Sequence, residues 1–321
     1  MSALDASSLV ETNTKVDMVF SDYMDYAATS SLDNTENFMK KNLKNIQSNS
    51  IHNYKRILEY YNTYNYWGKI DLDENIYELI ENRAKAFKEH HSDLSWLYGR
   101  LSDYRSKNTL FSIIDNWLTF SMTSLTRIID HTFRPYFDLD IIKCDSNEVF
   151  VDLGAYIGDT VIGYVNSYKD YKRIYCYEIN PSNFLQLKQN LGRYPNIEFR
   201  QKGAGAKNDT MYITDEEPDP SMHKLSNSGT TSIPVVAIDD DIAEPVTFIK
   251  MDIEGGEQKA IHGCRNHMQK THPKLAISIY HNNEDIWKCA RMIDEIDPGY
   301  KFFLRYSGGN YYPSEYVLLC V

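Results

Sequence analysis

Two patterns of apolar positions divide the chain near residue 145. Before this point apolar side chains recur at helical spacing within 76–87, 94–104 and 110–129, which predicts amphipathic helices. Residues 1–145 hold only three glycines and prolines together, so few positions interrupt a helix. We therefore predict a helical region over 1–145, whose first fifty residues, rich in Ser, Thr and Asn, form either a helical arm or a partly mobile segment.

From residue 148 onwards, short β-branched or aromatic runs alternate with amphipathic segments, which is typical of βαβ units and a mostly parallel sheet. The last two apolar runs are too close for a helical crossover, so we expect an antiparallel pair at one edge. An α/β domain over 146–321 is therefore predicted, with short strands and a loop within 211–237. Its main strands are predicted at 149–153, 173–178, 196–200, 246–252, 274–280, 300–305 and 315–320, and its helices at 158–168, 181–192, 255–270 and 283–296.

Composition narrows the class of protein. The chain has 321 residues, 42% of them hydrophobic, and a formal net charge of −11, which favours a globular protein and argues against a nucleic-acid partner. No apolar stretch approaches the length of a membrane span, and the N-terminus lacks a signal-peptide pattern. The five cysteines are an odd number without a Cys-x-x-Cys pair. We expect a cytoplasmic protein with free thiols.

Candidate chemistry begins where the first two predicted strands end. Asp152 closes the first strand, and Gly154 and Gly158 follow it in a turn that leads into a helix. Glycines there allow the backbone to approach a ligand at the N-terminus of the helix. Glu178 ends the second strand, 20 residues after Gly158, a spacing at which a carboxylate reaches the hydroxyl groups of a ribose.

Two further strands end in polar residues. Asp252 ends the fourth main strand and is followed by Glu254, and His281 follows the fifth. Because ligands bind outside the carboxyl ends of parallel strands, Asp152, Glu178, Asp252 and His281 are predicted to meet at one rim.

Each of these residues also has an ordinary structural interpretation. Glu178 could be solvated or cap the helix that follows it, and Asp252 or Glu254 could cap the helix that begins near Gly255. His281 could be a hydrogen-bonded structural residue. The run Asp239-Asp240-Asp241 is interpreted as a solvated helix start. Histidines at 262, 267 and 272 recur every five residues and cannot share one helix face as zinc ligands.

Five segments together resemble the FkbM family of S-adenosylmethionine-dependent methyltransferases. They are VFVDLGAYIGDT, YEINPSNFLQLKQNL, IPVVAIDD, FIKMDIEGGEQKAIHG and LAISIYH, in the order found in that family. The segment Tyr136-Phe137-Asp138 also resembles the lead-in of many members. The resemblance covers roughly residues 148–321 and implies a Rossmann-like class I methyltransferase fold, with a mostly parallel seven-stranded sheet and an antiparallel edge strand.

The resemblance also implies site residues. The cofactor S-adenosylmethionine would bind through its methionine part to the segment 152–160, through its ribose to Glu178, and near its adenine to Ile179 and Asn180. The segment 203–206 would close over the adenine edge, and Asp252 would contact the methionine amino group or the acceptor. The implied cofactor-binding residues are Asp152, Gly154, Ala155, Gly158, Asp159, Thr160, Glu178, Ile179, Asn180, Gly203, Ala204, Gly205 and Asp252.

The acceptor that the resemblance suggests is a hydroxyl group of a sugar or sugar-like metabolite, in surface-glycan or natural-product biosynthesis. His281 is the first choice for the general base, because its unperturbed pKa lies near 6.5. Asp252 and Glu254 are the alternatives, either as the base or together as ligands of a divalent cation. The sequence itself does not indicate a metal. The acceptor pocket is expected in loops near 214–232.

Two other classes remain as alternatives. A nicotinamide-dependent dehydrogenase shares the fold, but Tyr156 stands where its fingerprint requires a second glycine. A non-catalytic scaffold protein that kept the cofactor-binding fold is the other. The helical region 1–145 is interpreted either as a lid over the acceptor or as the interface of a homodimer.

Overall fold

The computed structural model describes residues 14–213, 224–309 and 312–321. Most of the loop predicted to hold the acceptor, and the first 13 residues of the predicted arm, lie outside these ranges. None of the helices in the described ranges is long and apolar enough to cross a membrane.

The N-terminal region is helical, as predicted. Its helices bury the apolar positions that the sequence pattern identified, for example Leu79, Ile80 and Phe87 on the helix Glu78–Glu89. The helices are α1 (Lys15–Thr29), α2 (Leu32–Asn49), α3 (Ile51–Tyr64), α4 (Glu78–Glu89), α5 (His91–Arg100), α6 (Tyr104–Thr119) and α7 (Met122–Thr126). Where the arm is described, it consists of α1 and α2.

The rest of the chain forms a mixed α/β fold around a seven-stranded sheet, which confirms the predicted fold class. The sheet contains β1 (Val149–Leu153), β2 (Arg173–Tyr177), β3 (Ile197–Arg200), β8 (Phe248–Met251), β9 (Lys274–Ser278), β10 (Phe302–Tyr306) and β11 (Tyr316–Cys320). Four short strands, β4 (Gly203–Ala204), β5 (Asp209–Ile213), β6 (Leu225–Ser226) and β7 (Ser232–Val236), form a second sheet beside it. The helices are α8 (Asp159–Tyr168), α9 (Pro181–Leu191), α10 (Ile238–Asp241), α11 (Glu257–Gly263), α12 (Arg265–Thr271) and α13 (Asp285–Ile296).

The strand order of the main sheet is β10-β11-β9-β8-β1-β2-β3. The pairs among β9, β8, β1, β2 and β3 are all parallel, so the carboxyl ends of these five strands lie on one edge. The last two strands form the predicted antiparallel pair, with β11 inserted between β9 and β10. The antiparallel strand is therefore second from the edge of the sheet.

Two local predictions differ in detail from the structure. The single helix predicted over 255–270 is two helices, α11 and α12, which meet at Cys264. The acidic run at Asp239 is part of a short helix, as expected from its ordinary interpretation. Asp239 accepts backbone N–H groups from Asn266 and His267 at 2.7 and 2.9 Å, so it caps the neighbouring helix.

The N-terminal helices and the sheet share one hydrophobic core. Helix α6 packs against β10, and the backbone N–H of Leu304 donates to the hydroxyl group of Ser106 at 2.9 Å. An ion pair strengthens the contact, since Arg305 on β10 lies 2.8 Å from Asp103, the N-cap residue of α6. The helical layer thus covers the apolar face of the sheet that would otherwise meet water.

Candidate active site

A cavity of about 430 Å³ opens at the carboxyl ends of β1, β2 and β8. Its wall combines the turn after β1, the end of β2, the second sheet and the loop after β8. The residues are Pro135, Tyr136, Leu153, Gly154, Tyr156, Asp159, Thr160, Tyr177, Glu178, Ile179, Asn183, Lys202, Gly203, Ala204, Gly205, Met211, Lys224, Leu225, Val235, Lys250, Asp252, Ile253, Glu254, Gly255, Gly256, Lys259 and Glu315. The volume is ordinary for a small-molecule site.

The turn after β1 requires glycine at its first position. Gly154 has a φ of +80°, and a Cβ atom there would lie 1.9 Å from the carbonyl oxygen of Asp252. Any side chain would therefore push apart the ends of β1 and β8. The turn leads into helix α8, whose first residues, Asp159 and Thr160, face the cavity.

Glu178 is held across the cavity by backbone donors. Its two carboxylate oxygens accept the N–H groups of Tyr156 at 2.9 Å and Asn180 at 2.7 Å. Burial raises the pKa of Glu178 to about 7, although these backbone hydrogen bonds oppose the rise. Each oxygen keeps acceptor capacity, so the carboxylate can bind two neighbouring hydroxyl groups.

A buried ion pair supports the floor of the cavity. Asp152 is fully buried, and its carboxylate lies 3.1 Å from the ammonium group of Lys250. Lys250 also donates to the carbonyl oxygen of Gly154 at 2.8 Å. Burial raises the pKa of Asp152 to about 6 even with Lys250 beside it. Asp152 is not part of the cavity wall. It holds Lys250, which in turn holds the carbonyl group of the glycine turn.

Three further groups meet beside the cavity: Asp252, Glu254 and His281. Nε2 of His281 lies 3.5 Å from Asp252 Oδ1 and 3.5 Å from Glu254 Oε1. Burial would lower the pKa of His281, but the carboxylates of Glu257 and Glu254 raise it well above its usual value. Burial would likewise raise the pKa of Asp252, but the charges of Lys250 and His281 hold it below its usual value.

Tyrosine hydroxyl groups orient both carboxylates. Tyr136 donates to Asp252 Oδ2 at 2.8 Å, and Tyr66 donates to Glu254 Oε2 at 3.1 Å. Tyr66 belongs to the segment between α3 and α4, so the N-terminal helical region contributes directly to this site. Tyr280 donates to Asp252 Oδ1 at 3.3 Å.

Four residues of the cavity wall have a strained backbone conformation. Tyr136, Tyr156, Glu254 and Glu315 all line the cavity and all have left-handed φ values, between 46° and 69°. Such conformations cost about 1–3 kcal/mol each in residues other than glycine and cluster at functional sites. Burial raises the pKa of Glu315 to about 7, and the charge of Asp252 contributes to the rise.

Many of the residues expected at the site from the sequence line the cavity. They are Gly154, Asp159, Thr160, Glu178, Ile179, Gly203, Ala204, Gly205, Asp252 and Glu254. The wall does not include Asp152, Ala155, Gly158, Asn180 or His281.

The residues outside the wall have structural contacts. Gly158 is the N-cap of α8, and the side chain of Asn180 caps α9 by accepting two backbone N–H groups. The His281 side chain is only 1% exposed, and its Nε2 lies 3.5 Å from a carboxylate oxygen of Asp252 and of Glu254. The role of His281 as general base stays a prediction, and its side chain is not among those that line the cavity.

Sequence reasoning missed Tyr66, Lys250 and Glu315. Lys250 lies within the recognised segment FIKMDIEGGEQKAIHG, two residues before Asp252. A lysine in an apolar strand is a usable signal, because a buried lysine requires a partner. Tyr66 and Glu315 gave no such signal, because they reach the site through tertiary packing.

Together, the sheet order and the cavity at the carboxyl ends of its central strands define a class I methyltransferase fold. A family model, "Methyltransferase FkbM domain", matches residues 152–305. Residues 152–305 thus match the FkbM methyltransferase domain, as the sequence resemblance implied. A search of curated proteins found no match.

Solved structures give the same result. The chain is 27% identical to a methyltransferase FkbM from Methylobacillus flagellatus, with a TM-score of 0.63, over 74% of this chain and 62% of that chain. It thus spans less than two thirds of that relative.

A more distant similarity is to an rRNA methylase from Streptococcus thermophilus, at 14% identity and a TM-score of 0.39 over 60% of this chain and 97% of that one. Another is to Aeropyrum pernix fibrillarin with bound S-adenosyl-L-methionine, at 12% identity and a TM-score of 0.37 over 56% of this chain and 70% of that one.

Proposed function

We propose that this protein is an S-adenosylmethionine-dependent methyltransferase that methylates a hydroxyl oxygen of a sugar or sugar-like acceptor. The observation that carries the proposal is the position of Glu178. Its carboxylate is fixed by two backbone N–H groups and faces a cavity bounded by the Gly154 turn. This arrangement suits a ribose whose nucleoside lies across the strand ends.

The cofactor would occupy the half of the cavity formed by the β1 turn, Glu178 and the second sheet. The ribose hydroxyl groups would donate to Glu178, and the adenine would lie between Ile179 and the strand β4. The methionine part would extend along the turn toward Asp252. Asp152 and Lys250 would act from below by holding the Gly154 carbonyl in place.

The acceptor would occupy the other half, which Tyr136, Glu254 and Glu315 line. Carboxylate and tyrosine hydroxyl groups are suited to a neutral, polyhydroxylated molecule, because they can exchange several hydrogen bonds with it. Surface-glycan or natural-product biosynthesis is the context that we propose for such an acceptor.

The reaction would be an in-line displacement. The acceptor oxygen bonds to the methyl carbon while the carbon–sulfur bond breaks, S-adenosylhomocysteine leaves, and the hydroxyl proton passes to a carboxylate of the cavity wall. Asp252 and Glu254 would contact the acceptor. His281 would be a positioning residue, because its charge attracts the carboxylates of Asp252 and Glu254. The protein supplies proximity and a base, because the sulfonium is already a good leaving group.

The N-terminal helices would form part of the acceptor site. The hydrogen bond from Tyr66 to Glu254 supports this lid-like role over a role as a dimer interface alone. We accordingly propose that residues 1–145 act together with the domain at 146–321.

Replacing Glu178 by alanine should weaken S-adenosylmethionine binding about 10- to 100-fold, since a hydrogen bond to a charged group contributes about 1.5–3 kcal/mol. Calorimetry with S-adenosylmethionine, and separately with NAD, measures this and also separates the alternatives. NAD binding would favour a dehydrogenase, and binding of neither would favour a scaffold. Glu295→Ala, an exposed position on α13, is the control and should bind like the wild type. Unchanged affinity in Glu178→Ala would remove the assignment.

The affinity for S-adenosylmethionine should rise with pH between about 6 and 8. The pKa of Glu178 in the free protein is about 7, and ribose hydroxyl groups bind better to its charged form. Below that pKa the carboxyl must lose a proton on binding, so affinity should fall by up to about tenfold per pH unit. Asp152, with a pKa of about 6, and Lys250 are the nearby charged groups. Titration of Glu178→Ala over the same range isolates the effect, and an equal pH dependence in that variant would contradict it.

A further inference from the structure

Three potential metal ligands converge at the wall of the cavity. Asp252, Glu254 and His281 each offer one atom, and these atoms lie within 4.8 Å of one another. The two carboxylate oxygens are each 3.5 Å from Nε2 of His281. The three residues come from the loop after β8 and the segment after β9, which are adjacent parallel strands.

The remaining atoms of these side chains are held from outside the cluster. Nδ1 of His281 lies 3.0 Å from Oε1 of Glu257. The second oxygens of Glu254 and Asp252 accept the hydroxyl groups of Tyr66 and Tyr136. Metal ligands are commonly oriented by such outer partners, in particular a histidine by a carboxylate. The contacts leave Nε2 of His281 and Oε1 of Glu254 to face Oδ1 of Asp252, which also accepts the Tyr280 hydroxyl group at 3.3 Å.

The His281 side chain is buried with an unsatisfied ring nitrogen that faces the two carboxylates. Its side chain is 1% exposed, and Nε2 has no hydrogen-bond partner. The separations of 3.5 Å to the two oxygens are too long for good hydrogen bonds. Without an ion, the charged imidazole alone balances the two carboxylates, at distances too long for good hydrogen bonds, and a divalent ion bound among the three atoms would replace this charge.

We propose that Asp252, Glu254 and His281 bind a divalent metal ion. Separations of this size accommodate an ion with bonds of about 2.0–2.2 Å to each ligand. Two oxygens and one imidazole nitrogen favour an ion such as Mn²⁺, which accepts both kinds of ligand. Side chains of Asp252 and Glu254 are 24% and 15% exposed and line the cavity, so coordination positions remain open on that side.

The position of the ion gives it a role that rests on the proposed function. An ion on this wall would bind the acceptor oxygen and polarise the hydroxyl group for attack. Charge neutralisation of two adjacent carboxylates would also favour the bound state. Metal binding itself requires neither S-adenosylmethionine nor the acceptor, so it can be tested on the protein alone.

The experiment is a titration of the full-length, chelator-treated protein with MnCl₂, followed by electron paramagnetic resonance of free Mn²⁺. We expect one bound ion per chain. Glu254→Gln and His281→Asn should each weaken binding at least 10- to 100-fold. Asp240→Asn, which removes an exposed carboxylate outside the cavity, should bind like the wild type. Pulsed measurements on the wild type should show coupling of Mn²⁺ to a nitrogen nucleus.

Absence of binding at 1 mM MnCl₂ in the wild type would overturn the proposal, and so would equal affinities in all variants. A bound ion without nitrogen coupling would overturn the assignment of His281, and this measurement decides even where His281→Asn does not fold. Calorimetry with S-adenosylmethionine reports separately on the proposed function. Cofactor binding without Mn²⁺ binding would remove only the metal site, and the reverse would remove only the methyltransferase proposal.

Discussion

Replacing Asp252 by asparagine is expected to lower the rate of methyl transfer about 10²- to 10⁴-fold, the usual effect of losing an acid–base group or a ligand that activates the nucleophile. Asp252 lines the cavity, and Lys250 and His281 hold its pKa below the usual value. It is therefore a charged group at neutral pH. Asparagine keeps the shape and can still accept from Tyr136, but it loses the charge.

The rate can be measured with methyl-labelled S-adenosylmethionine and cell-extract fractions in which the wild type produces a mass increase of one methyl group. Asp240→Asn serves as the control because this carboxylate is exposed and outside the cavity. Cofactor affinity, measured by calorimetry, shows whether the loss lies in the chemical step. A rate close to that of the wild type would exclude Asp252 from the reaction and direct attention to Glu254.

The second large effect concerns stability. Arg305→Met should reduce the free energy of unfolding by about 3 kcal/mol, at the lower end of the range of about 3–5 kcal/mol for breaking a buried ion pair. Arg305 lies 2.7 Å from Asp138 and 2.8 Å from Asp103, and its loss leaves the buried carboxylate of Asp138 with Arg105 at 3.8 Å. This residual partner is the reason for choosing the lower end.

Urea unfolding measures the loss. Lys288→Met is the matched control, because Lys288 pairs with Glu284 on the surface of α13, where both side chains are more than 40% exposed. Such pairs contribute at most about 0.5 kcal/mol. Equal losses of unfolding free energy in the two variants would show that the ion pairs of Arg305 do not stabilise the contact between β10 and the helical layer.

Local sequence signals were sufficient for the fold class and for many of the residues that line the part of the cavity proposed for the cofactor. The change from helical spacing to alternating strands and helices predicted β1, β2 and α8 within a residue or two, because backbone period and turn chemistry are local properties. Glu178 and Gly154 were found because each directly follows or ends a strand of a parallel sheet. The rule that ligands bind at carboxyl ends of strands converts such positions into a site.

Orientation within the site was decided only by tertiary packing. Asp152 and His281 were expected at the rim on the same rule, yet neither lines the cavity: Asp152 pairs with Lys250, and His281 lies 3.5 Å from each of two carboxylates. A strand end specifies a neighbourhood, whereas the direction of a side chain depends on the charges that surround it. In both cases buried opposite charges outweighed exposure to the cavity.

The residues on the proposed acceptor side of the cavity come from distant parts of the chain. Tyr66 is 188 positions from its partner Glu254, and Glu315 enters from the start of a strand that runs antiparallel to its neighbours. No periodicity relates such distant residues, because the helical layer and the sheet bring them together through their shared apolar core. The sequence by itself therefore determined the fold and the region proposed for the cofactor, while tertiary packing determined which groups line the part of the cavity proposed for the acceptor.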